Sequence, residues 1–154
     1  MAVLTGPTQL FGADTSIVST TLVHPLGTRA RDAAGNEYVY LTGVASTAAG
    51  SWVSFDEDNI TLLLTANAVG RVGIAMAAIV ASSYGWYQIY GKNTIAVTDT
   101  VAADKQLYID GTAGRADDAV VSGDMIVGAI SRSADTSNVA TVELCYPFVT
   151  DVLG

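Results

Sequence analysis

The stretch that decides the fold is VGIAMAAIVASSYGWYQIYG, residues 72–91. Its first half is small and apolar, and its alanines would suit a helix. Gly73 opposes that choice, because a glycine costs about 1 kcal/mol in a helix interior, and β-branched residues such as Ile74 and Val80 favour strands. We therefore predict a strand that is buried on both faces, with a short helix as the alternative.

The second half of the stretch carries four aromatic rings between Tyr84 and Tyr90. In a strand, where side chains alternate between faces, Trp86 and Tyr90 lie on one side and Tyr87 on the other. Exposed rings would form a stacking platform for sugars or bases, whereas covered rings would belong to a core or a subunit interface. We favour the second interpretation, for which the candidate aromatics are Trp52, Tyr84, Trp86 and Tyr90.

The rest of the chain reads as short strands separated by turns rich in Gly, Asp and Ser. Alternation in EYVYLTGVA puts Tyr38 and Tyr40 on one face and Val39 and Leu41 on the other. Similar runs follow until VATVELCYPFV, where Pro147 is expected to end the last strand or place it at an edge. This pattern predicts an all-β fold, a compact sandwich or barrel of short antiparallel strands.

Residues 1–26 differ from this pattern and are predicted to form an extended N-terminal arm, followed by a single β domain over residues 27–154. The arm is rich in Thr, Ser, Gly and Pro, with isolated apolar residues. Its SIVSTTLVHP run contains strand-forming residues that could pair with the sheet edge of a partner. The candidate partner-binding side chains of the arm are Leu10, Phe11, Ile17, Val18, Leu22 and Val23.

Charge and hydropathy exclude two classes of partner. The formal net charge is -8 and the chain has only two lysines, so we expect no direct nucleic-acid binding, which depends on cations that neutralise phosphates. The longest apolar run, residues 72–81, is far shorter than the roughly 20 residues of a membrane span, so we expect no membrane partner. No basic segment precedes an apolar run at the N-terminus, so we expect synthesis in the cytoplasm.

The residues that most often carry chemistry are isolated in this sequence. His24 has no second histidine to support it, and Cys145 lies in an apolar run where alternation predicts a buried, inert thiol. The acidic groups DEDN at 56–59 and GRADD at 114–118 lack the residue order of a calcium loop and read as solvated turns. We therefore predict no enzyme activity, no catalytic residues, no metal site and no cofactor.

The chain resembles the head decoration, or cement, proteins of tailed bacteriophages and related small capsid-associated fibre proteins. The resemblance runs through the Thr/Ser/Gly-rich arm and the segments DAAGNEYVYLTGVASTAAGSWVSFD, NAVGRVGIAMAAIVASSYGWYQIYG and GAISRSADTSNVATVELCYPFV. It implies a non-enzymatic structural protein of the virion, commonly a homotrimer. Such a protein is made in the host cytoplasm. It binds the major capsid protein on the capsid exterior and clamps neighbouring capsid subunits. The alternative is a glycan-binding or receptor-binding β module of a phage particle.

Overall fold

The computed structural model describes residues 14–151 and is all-β there, as predicted. It contains ten antiparallel strands and no helix in that range. The strands are β1 (Arg29–Arg31), β2 (Glu37–Thr42), β3 (Trp52–Phe55), β4 (Thr61–Leu63), β5 (Gly70–Ala75), β6 (Tyr84–Val97), β7 (Gln106–Ile109), β8 (Ala116–Asp117), β9 (Met125–Ser131) and β10 (Val139–Val149).

All ten strands belong to one sheet that does not close into a barrel. The main path runs β1-β2-β6-β5-β10-β9-β7-β8, while β3 joins β5 and β4 joins β3. Strands β5, β6 and β10 each pair with the other two, so the sheet branches at this junction. The branching lets one sheet enclose apolar side chains on both faces of its central strands.

Strands β3 and β5 separate two cores, because their alternate side chains point in opposite directions. Trp52 and Ile74 belong to a large core that also holds residues of β7, β9 and β10. Val53 and Ala75 belong to a second core shared with β2 and β6. The predicted strand buried on both faces is therefore confirmed for β5, but it is wrong over residues 76–83, which form bends and a turn; the alternative helix does not form there either.

Strand β6 is 14 residues long and extends past the point where the aromatic run ends. Its first half pairs with β2 and its second half with β10. Pairing with β2 ends and pairing with β10 begins at Tyr90, next to Gly91, whose φ of 94 is a conformation that glycine adopts without strain. The predicted alternation is confirmed for Trp86, which packs with Tyr38 and Tyr40, and for Tyr87, which packs in the second core. The prediction that Tyr90 shares the face of Trp86 is wrong, because the register shifts next to Tyr90 and its ring contacts Tyr146.

Two predictions about β10 are wrong, and a bulge accounts for the second of them. Leu144 pairs with Ala129 and Phe148 with Val127, so the β10 segment between these pairs has two more residues than the β9 segment opposite. The prediction of a buried Cys145 is wrong because Ala140, Val142 and Leu144 face the core, so regular alternation already points Cys145 outward. The bulge then leaves Tyr146 exposed as well and turns Pro147 inward, so that Pro147 is buried inside the strand and does not end it. A proline is tolerated there because a bulge removes the need for a ladder hydrogen bond.

Candidate functional site

Residues 14–26, here called the N-terminal segment, lie across the start of β6. The backbone N–H of Ser19 donates to the Tyr84 carbonyl at 3.1 Å, and the Tyr84 N–H donates back at 2.8 Å. Val18 packs against the second core and Leu26 against the cluster around Trp86. The inward side of the N-terminal segment is thus part of the β domain.

The N-terminal segment exposes three large apolar side chains. Ile17, Leu22 and Val23 are 59%, 55% and 61% exposed. Of the six predicted arm residues, these three present apolar surface, while Val18 turns towards its own domain. The remaining two, Leu10 and Phe11, lie outside the described residues.

The N-terminal segment covers an aromatic cluster formed by His24, Tyr40, Tyr84 and Trp86. The His24 ring lies 5.2 Å from Tyr40 and 5.4 Å from Trp86, measured between ring centroids. Tyr40 and Trp86 are themselves 5.2 Å apart and almost fully buried. The structure therefore places Trp86 inside the protomer, with Tyr84 half-buried beside it.

A cavity of about 140 Å³ separates the N-terminal segment from this cluster, and Ile17, Val23, His24, Tyr40 and Trp86 contribute to its wall. The hydroxyl of Tyr40 is buried and has no hydrogen-bond partner among residues 14–151. The volume is well below the roughly 300 Å³ at which small-molecule pockets begin. One inserted side chain would fill it.

Trp52 and Tyr90, the other two predicted aromatics, lie in different places. Trp52 is fully buried in the large core, where its indole N–H donates to the Val97 carbonyl at 3.0 Å. Tyr90 is half-buried, and its ring packs against that of Tyr146 in a tilted arrangement, with the centroids 5.0 Å apart and the planes at 32°. A platform that includes Trp52 and Trp86 is therefore excluded, and the exposed aromatic side chains of the described residues are Tyr146 and Phe148, with Tyr90 half-buried beside Tyr146.

Tyr146 was not found from the sequence, because the β10 bulge turns it outward. Its φ of 47 lies in the left-handed region, which costs a bulky residue on the order of 1–2 kcal/mol. The ring is 48% exposed, and the hydroxyl donates to the Glu37 carboxylate. That hydrogen bond, with partial burial and the Glu37 charge, raises the pKa of Tyr146. Pro147 was the available signal, since a proline inside a strand marks a bulge.

Cationic side chains surround the two tyrosines. Tyr90, Lys92 and Arg132 line a groove of about 490 Å³, and Arg29 and Arg71 line a smaller cavity together with Tyr146. Arg31 is close enough to influence the charge of the Tyr146 hydroxyl. We call this surface the cationic face; it holds five of the seven Lys and Arg residues, namely Arg29, Arg31, Arg71, Lys92 and Arg132.

The cations of this face differ in how far they are neutralised. Arg132 donates to Glu143 at 2.7 Å and to Asp104 at 2.9 Å, and Arg31 lies 4.0 Å from Glu37. Neither Arg29 nor Lys92 has an ion pair within the described part of the chain. The guanidinium of Arg71 lies over the Phe55 ring, 4.5 Å from its centroid. The cationic face therefore retains positive charge although the molecule is acidic.

The β1–β2 turn that carries Arg31 and Glu37 is held by Asp32. Its carboxylate accepts hydrogen bonds from the N–H groups of Ala34 and Asn36, both at 2.9 Å, and from the Tyr38 hydroxyl at 2.8 Å. Partial burial acts to raise the pKa of Asp32, but hydrogen bonds from Asn36, Tyr38 and Ala34 outweigh it and lower the value. The turn is thus fixed by an ionised carboxylate.

A second exposed apolar surface lies at the other end of the sheet. A groove of about 440 Å³ is lined by Tyr108, Val120, Val121, Met125 and Val127, among others. Val120 is 79% exposed, and the two other valines and Met125 are all more than a third exposed. This groove offers apolar contact area without charged groups in its wall.

The acidic groups noted in the sequence act within the fold. The Asp56 carboxylate accepts from the N–H groups of Asp58 and Ile60 at 3.1 and 2.9 Å, and Asp118 accepts from Ala102 at 2.9 Å. Burial raises the pKa of Asp117, and the neighbouring carboxylates add to the effect. Within residues 14–151 no three His, Cys, Asp or Glu side chains are grouped to hold a metal ion.

The two residues most often used in catalysis belong to separate places. His24 lies in the aromatic cluster, while Cys145 lines the groove beside Tyr90. Searches against family models, curated proteins and solved structures found nothing that matches this chain. In the stretch from 14 to 151, no helix is long and apolar enough to cross a membrane.

Proposed function

We propose that this chain is a structural protein of a bacteriophage virion that binds the outer surface of an icosahedral capsid and clamps neighbouring major capsid subunits. The observation that carries the proposal is the surface of the N-terminal segment, where Ile17, Leu22 and Val23 expose apolar side chains on a backbone of turns, bends and one β-bridge at Ser19. Such a segment can add strand hydrogen bonds and apolar contacts to a partner surface. The resemblance to decoration proteins supports the same role.

The inward contacts of the N-terminal segment suit this role because they fix its orientation. The Ser19–Tyr84 bridge and the His24 ring contacts hold the backbone on the β domain, so the exposed side chains are ordered before binding. Pre-ordering lowers the entropy cost of association. Each fully buried aliphatic side chain would contribute about 1.5–3 kcal/mol.

The proposal includes a homotrimer on the virion exterior and assigns the chain no catalytic activity. Linking three copies makes the second and third attachments intramolecular, so contacts that are modest one at a time give strong overall binding. The apolar groove at Val120, Val121, Met125 and Val127 is available for contacts between copies or with the capsid. Light scattering on purified protein measures the oligomer directly.

The test is a pelleting assay with empty, expanded capsids of the phage that encodes this protein. Wild-type protein should saturate the capsids at a fixed ratio to the major capsid protein. The variant Ile17→Ser/Leu22→Ser/Val23→Ser should lose most of that binding. A chain lacking residues 1–13 tests the contribution of Leu10 and Phe11 separately.

The matched control replaces three apolar residues of similar exposure elsewhere, Ile60→Ser/Leu62→Ser/Val69→Ser, which are 46%, 65% and 68% exposed. This control should bind capsids like the wild type, and circular dichroism should report the same fold for all variants. If wild-type protein fails to saturate capsids, the capsid role is refuted. If the two triple variants bind capsids equally well, the role of the N-terminal segment is refuted.

A further inference from the structure

We propose that Tyr90, Tyr146 and the cationic face form a binding site for a carboxylated sugar unit of an anionic polysaccharide. The site would be a second function of the protein, and it does not depend on the capsid role. Three features of the described residues lead to this proposal: a ring pair in which Tyr146 is exposed and Tyr90 half-buried, unneutralised cations beside it, and carboxylates that can accept hydrogen bonds from hydroxyl groups.

The ring pair is a built feature of the fold. The β10 bulge, which is opposite Gly128, puts Tyr146 on the outer face in a left-handed backbone conformation that a tyrosine rarely adopts. Bulges that re-aim a side chain occur preferentially next to binding and active sites. The result is a half-exposed Tyr146 ring packed at a tilt against Tyr90 at the edge of the groove, which suits contact with the apolar face of a sugar.

The charge of the site selects an anion. Lys92 lines the groove next to Tyr90, and Arg29 shares a cavity wall with Tyr146; neither is paired with a carboxylate among the described residues. These two cations stand out on a protein with a net charge of -8. A carboxylate bound near Lys92 would form a charge-assisted hydrogen bond, which is stronger than a neutral one.

The carboxylates of the same surface favour a sugar over a nucleic acid. Glu143 lines the groove, and its side chain is 56% exposed. The Glu37 carboxylate accepts a hydrogen bond from the Tyr146 hydroxyl. Sugar hydroxyls can donate to these oxygens, whereas the phosphodiester backbone of DNA has no donor to offer them. The overall negative charge also repels a densely charged phosphate chain.

The experiment measures binding of purified full-length protein to carboxylated polysaccharides by calorimetry and affinity electrophoresis, without capsids. The probes are polygalacturonate, alginate and hyaluronate. Fully methyl-esterified polygalacturonate, dextran and single-stranded DNA are the comparison ligands. We expect binding to at least one carboxylated probe, weakened by salt, and little or none to the esterified and uncharged polymers or to DNA.

Matched variants locate the site. Tyr146→Ala should weaken binding about tenfold, in line with the loss of one aromatic stacking partner. Tyr146→Phe keeps the ring and should stay within about twofold of the wild type. Lys92→Ala should weaken binding several-fold, whereas Lys105→Ala removes the only other lysine and should have no effect. Both lysines are exposed, so neither change should alter the fold.

The proposal is overturned if none of the three carboxylated polymers binds, or if the esterified polymer binds as tightly as the acid. It is also overturned if DNA binds more tightly than every carboxylated polymer, or if Tyr146→Ala and Lys92→Ala both bind like the wild type. Because no capsid is present, these outcomes leave the capsid role untouched. A failure of capsid pelleting likewise leaves the sugar site untouched.

Discussion

A buried polar network behind the cationic face makes a sharp prediction about stability. Gln88 and Asn93 are each 1% exposed, and the Asn93 amide donates to the Gln88 side-chain oxygen at 2.9 Å. The Gln88 amide in turn donates to the carbonyls of Tyr90 and Lys92 at 3.0 and 3.1 Å. The network therefore supplies hydrogen-bond donors to the two backbone carbonyls on either side of Gly91 in β6.

The variant Asn93→Ala should destabilise the protein by about 3 kcal/mol. In the wild type, the Ile95 N–H donates to the Asn93 side-chain oxygen at 2.9 Å. The substitution leaves this N–H and the Gln88 side-chain oxygen without their hydrogen-bond partners. Each buried polar group left unsatisfied costs about 1–3 kcal/mol. For a domain of this size, 3 kcal/mol corresponds to a fall of roughly 6–12 °C in the melting temperature.

The assay is urea unfolding followed by tryptophan fluorescence, with Thr94→Ala as the control. Thr94 is the exposed neighbour of Asn93 on the same strand, so its removal should change the free energy of unfolding by less than about 0.5 kcal/mol. The double variant with Gln88→Leu should lose less than the sum of the single changes, because both partners of one bond are gone. A loss below 1 kcal/mol for Asn93→Ala, or strict additivity, would refute the network.

Four further predictions test single features. Gly128→Ala should destabilise the fold by about 2 kcal/mol or more in urea unfolding, because Gly128 has a φ of 81 and an added Cβ would meet the Cys145 carbonyl; a neutral result contradicts the bulge. Cys145 should react with a maleimide in native protein nearly as fast as in urea, whereas a protected thiol would mean that it is buried. Asp32→Asn should destabilise at neutral pH, and the deficit should shrink as pH falls through the lowered folded-state pKa, so a pH-independent deficit speaks against the turn. Asp117→Asn should stabilise at pH 7, because the folded state raises the pKa of Asp117 and disfavours its charge, and this gain should vanish at a pH low enough to protonate the carboxyl in both states; no gain at pH 7 contradicts the raised pKa.

The sequence predicted those parts of the fold that depend on alternation within an undisturbed strand. The opposite facing of Tyr38 and Val39, and of Trp86 and Tyr87, followed from period two alone. The pairing order could not be predicted in this way, since it depends on which strand edges meet. The branching at β5, β6 and β10 combines residues far apart in the chain.

The candidate site was predicted less well, because it lies where alternation breaks. Gly91 lets β6 continue with a new partner, and the bulge before Phe148 reverses the facing of the residues around it. Cys145 was expected in the interior because its run is apolar, yet alternation with the buried Leu144 points it outward, and the bulge adds Tyr146 to the exposed side. A pattern that counts residues has no means of locating an inserted one, except where a glycine or proline marks it.

The same breaks link the fold to the proposed sugar site. A regular strand would alternate Cys145, Tyr146 and Pro147 between faces, and Tyr146 would then point into the large core beside Leu144. The bulge instead leaves Tyr146 half-exposed and packed against Tyr90, at a cost in backbone strain. That strain is the reason to ask what the outer face binds, because packing alone would be better served by the regular strand.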